Sequence, residues 1–456
     1  MDGSLRKPRR CASVAASPVS QAAKGLPPAL LAAYAAPALP LAAMYFPVYV
    51  FLAEFYATAH GLPLGTIGAV FIAARLFDAV SDPVAGIVSD RWSTRWGRRR
   101  PWLAAGAPLV MLSAWMLFVP APGVGLAGFA LWLFLLTLGW TVMLTPYFAW
   151  GAELTGDYAE RGRVSVWRET AGLIGTILAA VLYSLSADAA DGMRNIALLI
   201  LLAMPVACIL CLALVPEPRD FSRAGASLGS LARVLTGEPL FGRLILAFFV
   251  NSAANALPAG LFLFFVGQRL GASAWGGPLL IVYFGAAVLA APLWPWLVRR
   301  YAKHRVWCGA MLYACGVFAA ALLLREGDLL AFAIICVLSG AALGADLSLP
   351  SAIQADVVDL DTVRSGAQRT GAFFALWSLA QKFALAGSGG AALIALGWIG
   401  FSASGDNAPS ALTGLSLLYA FAPIVLKLAA VVLMWNFPLG AEAQRDLRRQ
   451  IEDGAG

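Results

Sequence analysis

The chain has 456 residues, of which 60% are hydrophobic and only 12% charged, with a mean hydropathy of +0.77 and a formal charge of +7. A water-soluble domain is about 25% charged, so this composition excludes an ordinary cytosolic enzyme, a disordered chain and a secreted disulfide scaffold. It fits a polytopic membrane protein, in which about 20 apolar residues cross the bilayer once.

Residues 1–29 are basic and polar, lack a long apolar stretch and read as a cytoplasmic tail. Apolar runs follow near 30–57, 64–89, 102–120, 124–152, 165–187, 195–215, 241–267, 275–298, 305–324, 328–355, 370–398 and 412–437. Such long continuous runs predict twelve transmembrane helices rather than the short alternating strands of a barrel. Arginine and lysine fall in the tail, in the loops after every second span and in the C-terminal segment, while the opposite loops hold only Arg194, Arg269 and Arg325. By the positive-inside rule both termini are expected in the cytoplasm. The basic excess is thereby explained without nucleic acid.

The polar segment 216–240 divides the chain into two six-helix halves, 30–215 and 241–437, with a cytoplasmic tail at 438–456. Glu153 with Arg161 and Asp356 with Arg364 recur at one spacing, between the fourth and fifth span of each half. This is a weak internal repeat of the kind parallel half-repeats leave. Cys208 and Cys211 lie inside an apolar run and read as packing residues. His60 and His304 fall in predicted loops. No nucleophile–base pair, metal set or resident cofactor site is visible, so an enzyme is not expected.

Ionisable groups inside spans mark candidate functional positions. Here they are Glu54, Arg75, Asp78, Asp82, Arg168, Glu169, Asp346, Lys382 and Lys427. Asp78 and Asp82 are spaced i,i+4 and share one helix face with Arg75 and Ser81. At an effective dielectric near 20, two carboxylates about 6 Å apart repel by about 3 kcal/mol. The pair therefore calls for a proton, a metal cation or Arg75 between them. One reading is a cation site that takes Na⁺ or H⁺; the other is a static Arg75–Asp78 ion pair. Gly86, Asp90, Arg91 and Arg98, with Arg75 and the two acid–arginine pairs, suggest a charge latch at the cytoplasmic face; the alternative is simple anchoring. Asn251 and Asn255 share a face of the seventh span, and Tyr147, Trp150, Trp167 and Trp377 offer flat surfaces to a substrate. Lys427 is expected to snorkel, and Pro37, Pro40 and Pro47 to kink the first span.

The series Arg75-x-x-Asp78-x-x-Ser81-Asp82-Pro83, Asp90-Arg91, Arg95-Trp96-Gly97-Arg98 and Pro101-Trp102 resembles the signature of the glycoside–pentoside–hexuronide:cation symporters, a major facilitator family. The stretches Gly61–Arg75, Thr141–Leu154, Gln354–Asp361 and Gln381-Lys382 resemble its second, fourth, tenth and eleventh helices. The resemblance implies an all-α major facilitator fold of twelve helices in two halves. It implies cation ligation by Asp78 and Asp82, with Ser81 and Thr141 as lesser ligands, and substrate roles for Arg168 and Lys382. It also implies inward symport of a sugar or glycoside by alternating access, by a monomer embedded in the inner membrane. Three positions depart from the family's sugar carriers: the sugar-gripping acids of the first and fourth helices align with Ala42 and Leu144, and a tenth-helix aromatic aligns with Leu347. These losses admit a lysophospholipid or other amphiphile as substrate. A third reading, of another class, is a membrane sensor or scaffold that transports nothing.

Overall fold

The computed structural model describes residues 25–92, 94–155, 158–217, 238–365, 370–403, 405 and 407–438. Most of the two tails and of the predicted central loop lies outside the described residues. The first half contains α1 (Pro28–Ala35), α2 (Ala38–Val50), α3 (Leu52–Ala59), α4 (Leu64–Arg91), α5 (Arg100–Phe118), α6 (Leu126–Glu153), α7 (Tyr158–Ser184) and α8 (Ala189–Leu214). The second contains α9 (Pro239–Phe264), α10 (Gly276–Ala290), α11 (Leu293–Val298), α12 (Lys303–Ala321), α13 (Leu329–Ser365), α14 (Thr370–Trp398), α15 (Pro409–Ser416) and α16 (Ala422–Met434). Single π-turns extend α9 and join α15 to α16.

Among the described residues, eleven stretches are long and apolar enough to cross a membrane. The ninth predicted span is α12, a helix of 19 residues whose first turn carries Lys303, His304 and Arg305. Its length of about 28 Å, at 1.5 Å per residue, matches the hydrocarbon thickness. Helices dominate because lipid offers no partner to a backbone N–H or C=O. Large apolar side chains such as Leu185, Leu202, Leu289, Val432 and Trp398 are exposed, as lipid-facing residues are.

The first span holds one membrane-capable stretch, Pro28–Val50, and is interrupted into α1, α2 and α3, because proline lacks a donor N–H and crowds the preceding turn. The chain breaks before Ala38 at Pro37, and again at Phe51, whose N–H reaches back to the Pro47 carbonyl at 2.9 Å. Pro292 likewise separates α10 from α11. The predicted end of the tenth span at 355 is too early: α13 continues to Ser365, and its polar last turns emerge beyond the apolar stretch.

The halves meet along a glycine seam at their arginine-poor ends. A Cβ on Gly68 of α4 would lie 2.5 Å from the Gly390 carbonyl oxygen of α14, and one on Gly390 would lie 2.8 Å from the Gly68 carbonyl. Gly397 meets Gly65 in the same way, at 3.2 Å from its nitrogen. On the other flank, a Cβ on Gly277 of α10 would overlap Ser184 Oγ of α7. Absent side chains thus let the backbones touch. At the arginine-rich ends the ion pairs Arg99–Glu153, Lys303–Asp356 and Arg364–Glu238 each stay within one half.

Gly68→Leu is expected to wedge the seam apart. Labelling of Cys336, which faces the space between the halves, by an impermeant maleimide applied from the arginine-poor side should rise about tenfold; about 1.4 kcal/mol on the closure equilibrium suffices. Unchanged labelling would show that the seam does not hold the halves together.

Candidate functional site

The helix α4 brings Arg75, Asp78, Ser81 and Asp82 onto one face, as the spacing requires. Asp78 is 1% exposed and Arg75 is also buried. The guanidinium donates to Asp78 Oδ2 at 3.1 Å and lies over the rings of Tyr49, at 4.9 Å, and Tyr45, at 5.7 Å. From α6, Thr141 Oγ1 sits 2.8 Å from Asp78 Oδ1 and 2.9 Å from Asp82 Oδ1. Ser81 Oγ donates to the Asp78 carbonyl at 3.3 Å and stands 3.5 Å from Thr141 Oγ1.

The threonine contacts have a chemical consequence. A hydroxyl has one proton to donate, yet two carboxylate oxygens lie within hydrogen-bonding distance of it. Thr141 can serve one of them; the other contact brings two acceptors together. A proton on one carboxyl, or a cation beside the oxygens, removes that conflict.

Lys382, on α14, stands apart from its expected place. Its ammonium pairs with Asp82 Oδ2 and lies 3.4 Å from Asp78 Oδ2, and it is absent from the cavity wall. Arg75, expected in the latch, also belongs to this cluster. Two acids and two bases thus meet where α4, α6 and α14 pack, and Lys382 carries a charge from the second half onto acids of the first.

A cavity of about 440 Å³ lies between the halves, within the 300–1,000 Å³ typical of small-molecule sites. Tyr147, Arg168 and Asn255 line it, as do Ala42, Leu144, Tyr45, Tyr49 and Trp140. Arg168 pairs with Glu169 at 2.7 Å and covers the Phe148 ring at 3.9 Å. Most of the remaining wall is aliphatic or aromatic. The structure puts three other candidates elsewhere. Trp150 is buried and donates from Nε1 to the Pro216 carbonyl at 3.0 Å. Trp377 stacks on Phe248 with centroids 3.8 Å apart. Asn251 is 1% exposed and faces Asp346. None of the three is among the residues that line the cavity.

A second charge cluster gathers Asp346 and Lys427, marked in the sequence as intramembrane ionisable groups, with Asn251 and Asn255, expected at the substrate. Asp346 Oδ1 accepts from Asn251 Nδ2 at 3.1 Å and Trp307 Nε1 at 2.9 Å; Oδ2 accepts from Asn255 Nδ2 at 3.0 Å and Lys427 Nζ at 2.9 Å. Lys427 Nζ also donates to Asn251 Oδ1 at 2.9 Å. Lys427 therefore does not snorkel: it is 2% exposed, because a buried partner is nearer than the interface.

Several latch residues form ion pairs among the described residues. Glu153 accepts from Arg98 at 2.5 Å and from Arg99 at 2.6 Å; Asp356 pairs with Lys303 at 2.8 Å; Arg364 pairs with Glu238 at 3.4 Å. Glu217 accepts from the backbone N–H groups of Arg98 and Arg99, which supplies the missing cap at the start of α5. Arg91 is exposed at the end of α4. A Cβ on Gly86 would make an ordinary 3.6 Å contact with Thr145, so no steric need explains that glycine. The side chains of Asp90 and Arg161 lie outside the described residues.

Thr141→Val keeps the shape and removes the hydroxyl. We expect the Na⁺ or proton concentration that half-maximally stabilises the purified protein against heat to rise about tenfold, in line with a lost hydrogen bond to a charged group. No change would mean that the hydroxyl takes no part in cation binding.

Comparison with known proteins agrees with this architecture. A glucuronide carrier protein homolog of Escherichia coli (strain K12) is 26% identical over 419 residues, covering 88% of this chain and 91% of the relative. The sodium-dependent lysophosphatidylcholine symporter 1 of Xenopus tropicalis is 23% identical over 433 residues, covering 84% and 82%. The crystal structure of a D-xylose-proton symporter superposes with a TM-score of 0.65 at 14% identity, covering 91% of this chain and 98% of that one, and shares the fold. Residues 33–441 match the family described as MFS/sugar transport protein, and with a paired-carboxylate site and a cavity between two helical halves the chain belongs to that family.

Proposed function

We propose that this protein carries a sugar or glycoside inward together with Na⁺ or H⁺, by rocking its two halves about the cavity. The observation that carries the reading is the Thr141 hydroxyl held between two carboxylates, a site one hydrogen-bond donor short of satisfying its oxygens. The glucuronide carrier homolog among its relatives supports the substrate class. Cation coupling supplies work: each charge moving inward contributes about 2.3 kcal/mol per 100 mV.

The inner membrane is the proposed location, with the arginine-rich ends and both termini in the cytoplasm. On that orientation the glycine seam lies at the outer side. Lys382 then acts as a tethered substitute for the coupling cation. It holds the carboxylates after the ion has left toward the cytoplasm, and an entering cation competes with it. Cation binding releases the ammonium, alters the contact between α14 and α4, and thereby couples ion occupancy to the halves. If the cation favours substrate binding, substrate tightens cation binding by the same factor.

A second reading rests on the wall of the cavity. Ala42 and Leu144 line it without polar groups, and aromatic residues form much of the remainder. A lysophospholipid or similar amphiphile fits such a lining, and the lysophosphatidylcholine symporter is a relative. Heat-stability shifts of the purified carrier with a sugar panel and a lysophospholipid panel separate the two.

In proteoliposomes, Asp82→Asn is expected to abolish cation-stimulated uptake. Lys382→Met is expected to lower the half-saturating cation concentration at least tenfold, because the entering ion no longer displaces an ammonium, and to slow net turnover. An Asp82→Asn carrier with intact cation dependence would sink the coupling scheme. A wild-type protein without flux for either panel would favour a sensor.

A further inference from the structure

The cluster around Asp346 does more than neutralise a buried charge. An ionised carboxylate only accepts hydrogen bonds, so both asparagines of α9 must turn their NH₂ groups toward it. The carbonyl oxygen of each amide is then directed away from Asp346. For Asn251 that oxygen meets Lys427. For Asn255 it accepts no hydrogen bond from any described residue, and Asn255 is part of the cavity wall. The orientation is chemically forced. Rotation of the amide by half a turn would set its oxygen against the Asp346 carboxylate. Asp346 in turn has its four donors on four different positions of three other helices, so it cannot swing to follow a rotated amide.

At Ala42 and Leu144 the first half presents no polar side chain to the cavity, although Arg168 and Glu169 line it elsewhere. We infer that Asp346 and Lys427 are positioning residues that lock Asn255 so that its carbonyl oxygen accepts a hydrogen bond from a substrate hydroxyl, which moves part of sugar recognition to the second half. The inference rests on the sugar reading above and adds to it a specificity-determining residue. A cluster that only held helices together would leave discrimination between hydroxyl and deoxy substrates untouched.

The test uses the full-length purified carrier and measures dissociation constants for phenyl β-glucoside, phenyl β-galactoside and phenyl β-glucuronide and their monodeoxy analogues. For the wild type, one deoxy position should weaken binding about tenfold, the scale of one lost hydrogen bond. In Asn255→Leu and Asn255→Ala, the parent glycoside should weaken to the level of that analogue, and the ratio between them should fall to about one. Asp346→Asn combined with Lys427→Met keeps Asn255 but frees its amide, and should also lower the ratio. Lys427→Arg preserves the ion pair and should keep it.

If a parent glycoside binds and the ratio survives Asn255→Leu and Asn255→Ala, the inference is overturned while the sugar reading stands. A ratio that falls in those variants but survives loss of the Asp346–Lys427 pair overturns the positioning role. If that double variant does not fold, a ratio lost in Lys427→Arg, with its ion pair intact, does the same. If none of the glycosides binds the wild type, the sugar reading fails, and the inference with it.

Discussion

Two carboxylates on one turn of a membrane helix repel each other in a medium that screens them poorly, and Arg75, Thr141 and Lys382 are gathered around that repulsion. Asp78 and Asp82 cannot both remain charged without positive partners. Arg75 answers part of the demand from within the same helix. Lys382 answers another part from the opposite half of the protein. Thr141 has one proton for two oxygens, so the site stays short of full satisfaction. A cluster balanced in this way can exchange one positive partner for another at modest cost, which is the physical requirement for taking up an ion and letting it go.

Asp346 shows the opposite design with the same residue type. Four donors saturate its two oxygens, and Lys427 supplies the counter-charge at 2.9 Å. Nothing is left for an added proton or metal ion to improve. Buried ion pairs contribute little net stability against their desolvation, but breaking one is expensive. Such a pair therefore makes a stiff support, and Asn255 at its edge inherits that stiffness. The two clusters divide the work: one is poised to change partners, the other resists change.

The interface between the halves follows the same economy of side chains. Where the halves touch, glycines replace bulk, so carbonyls and backbones meet at van der Waals distance. Ile72, Leu393 and Ile394 pack beside those glycines. The aromatic lining of the cavity presents flat faces that suit a sugar ring or an apolar group equally. Arg168, seated on Phe148 and paired with Glu169, is a charged point on a largely apolar wall.

Much of the fold was legible in the sequence. Apolar runs marked the order of the spans, because lipid forces every run into a helix that satisfies its own backbone; among the described residues, eleven stretches are long and apolar enough to cross a membrane. The i,i+4 spacing placed Asp78 and Asp82 on one face, and the motif around them carried the family. The breaks at Pro37 and Phe51 were legible only as kinks, since a proline removes a hydrogen bond without stating how far the chain then turns. Partner choice was not legible. The spacing marked Glu153 and Asp356 as latch candidates but did not say that Glu153 would meet Arg98 and Arg99, or Asp356 Lys303. Lys382 reached Asp82 across 300 residues, and Lys427 reached Asp346 rather than the interface. Periodicity determines which face of a helix a side chain occupies; the rotation and tilt of that helix against its neighbours determine whom the face meets. Those angles come from packing between helices, from where glycines admit a neighbour and aromatics hold one off, and only the tertiary structure contains them.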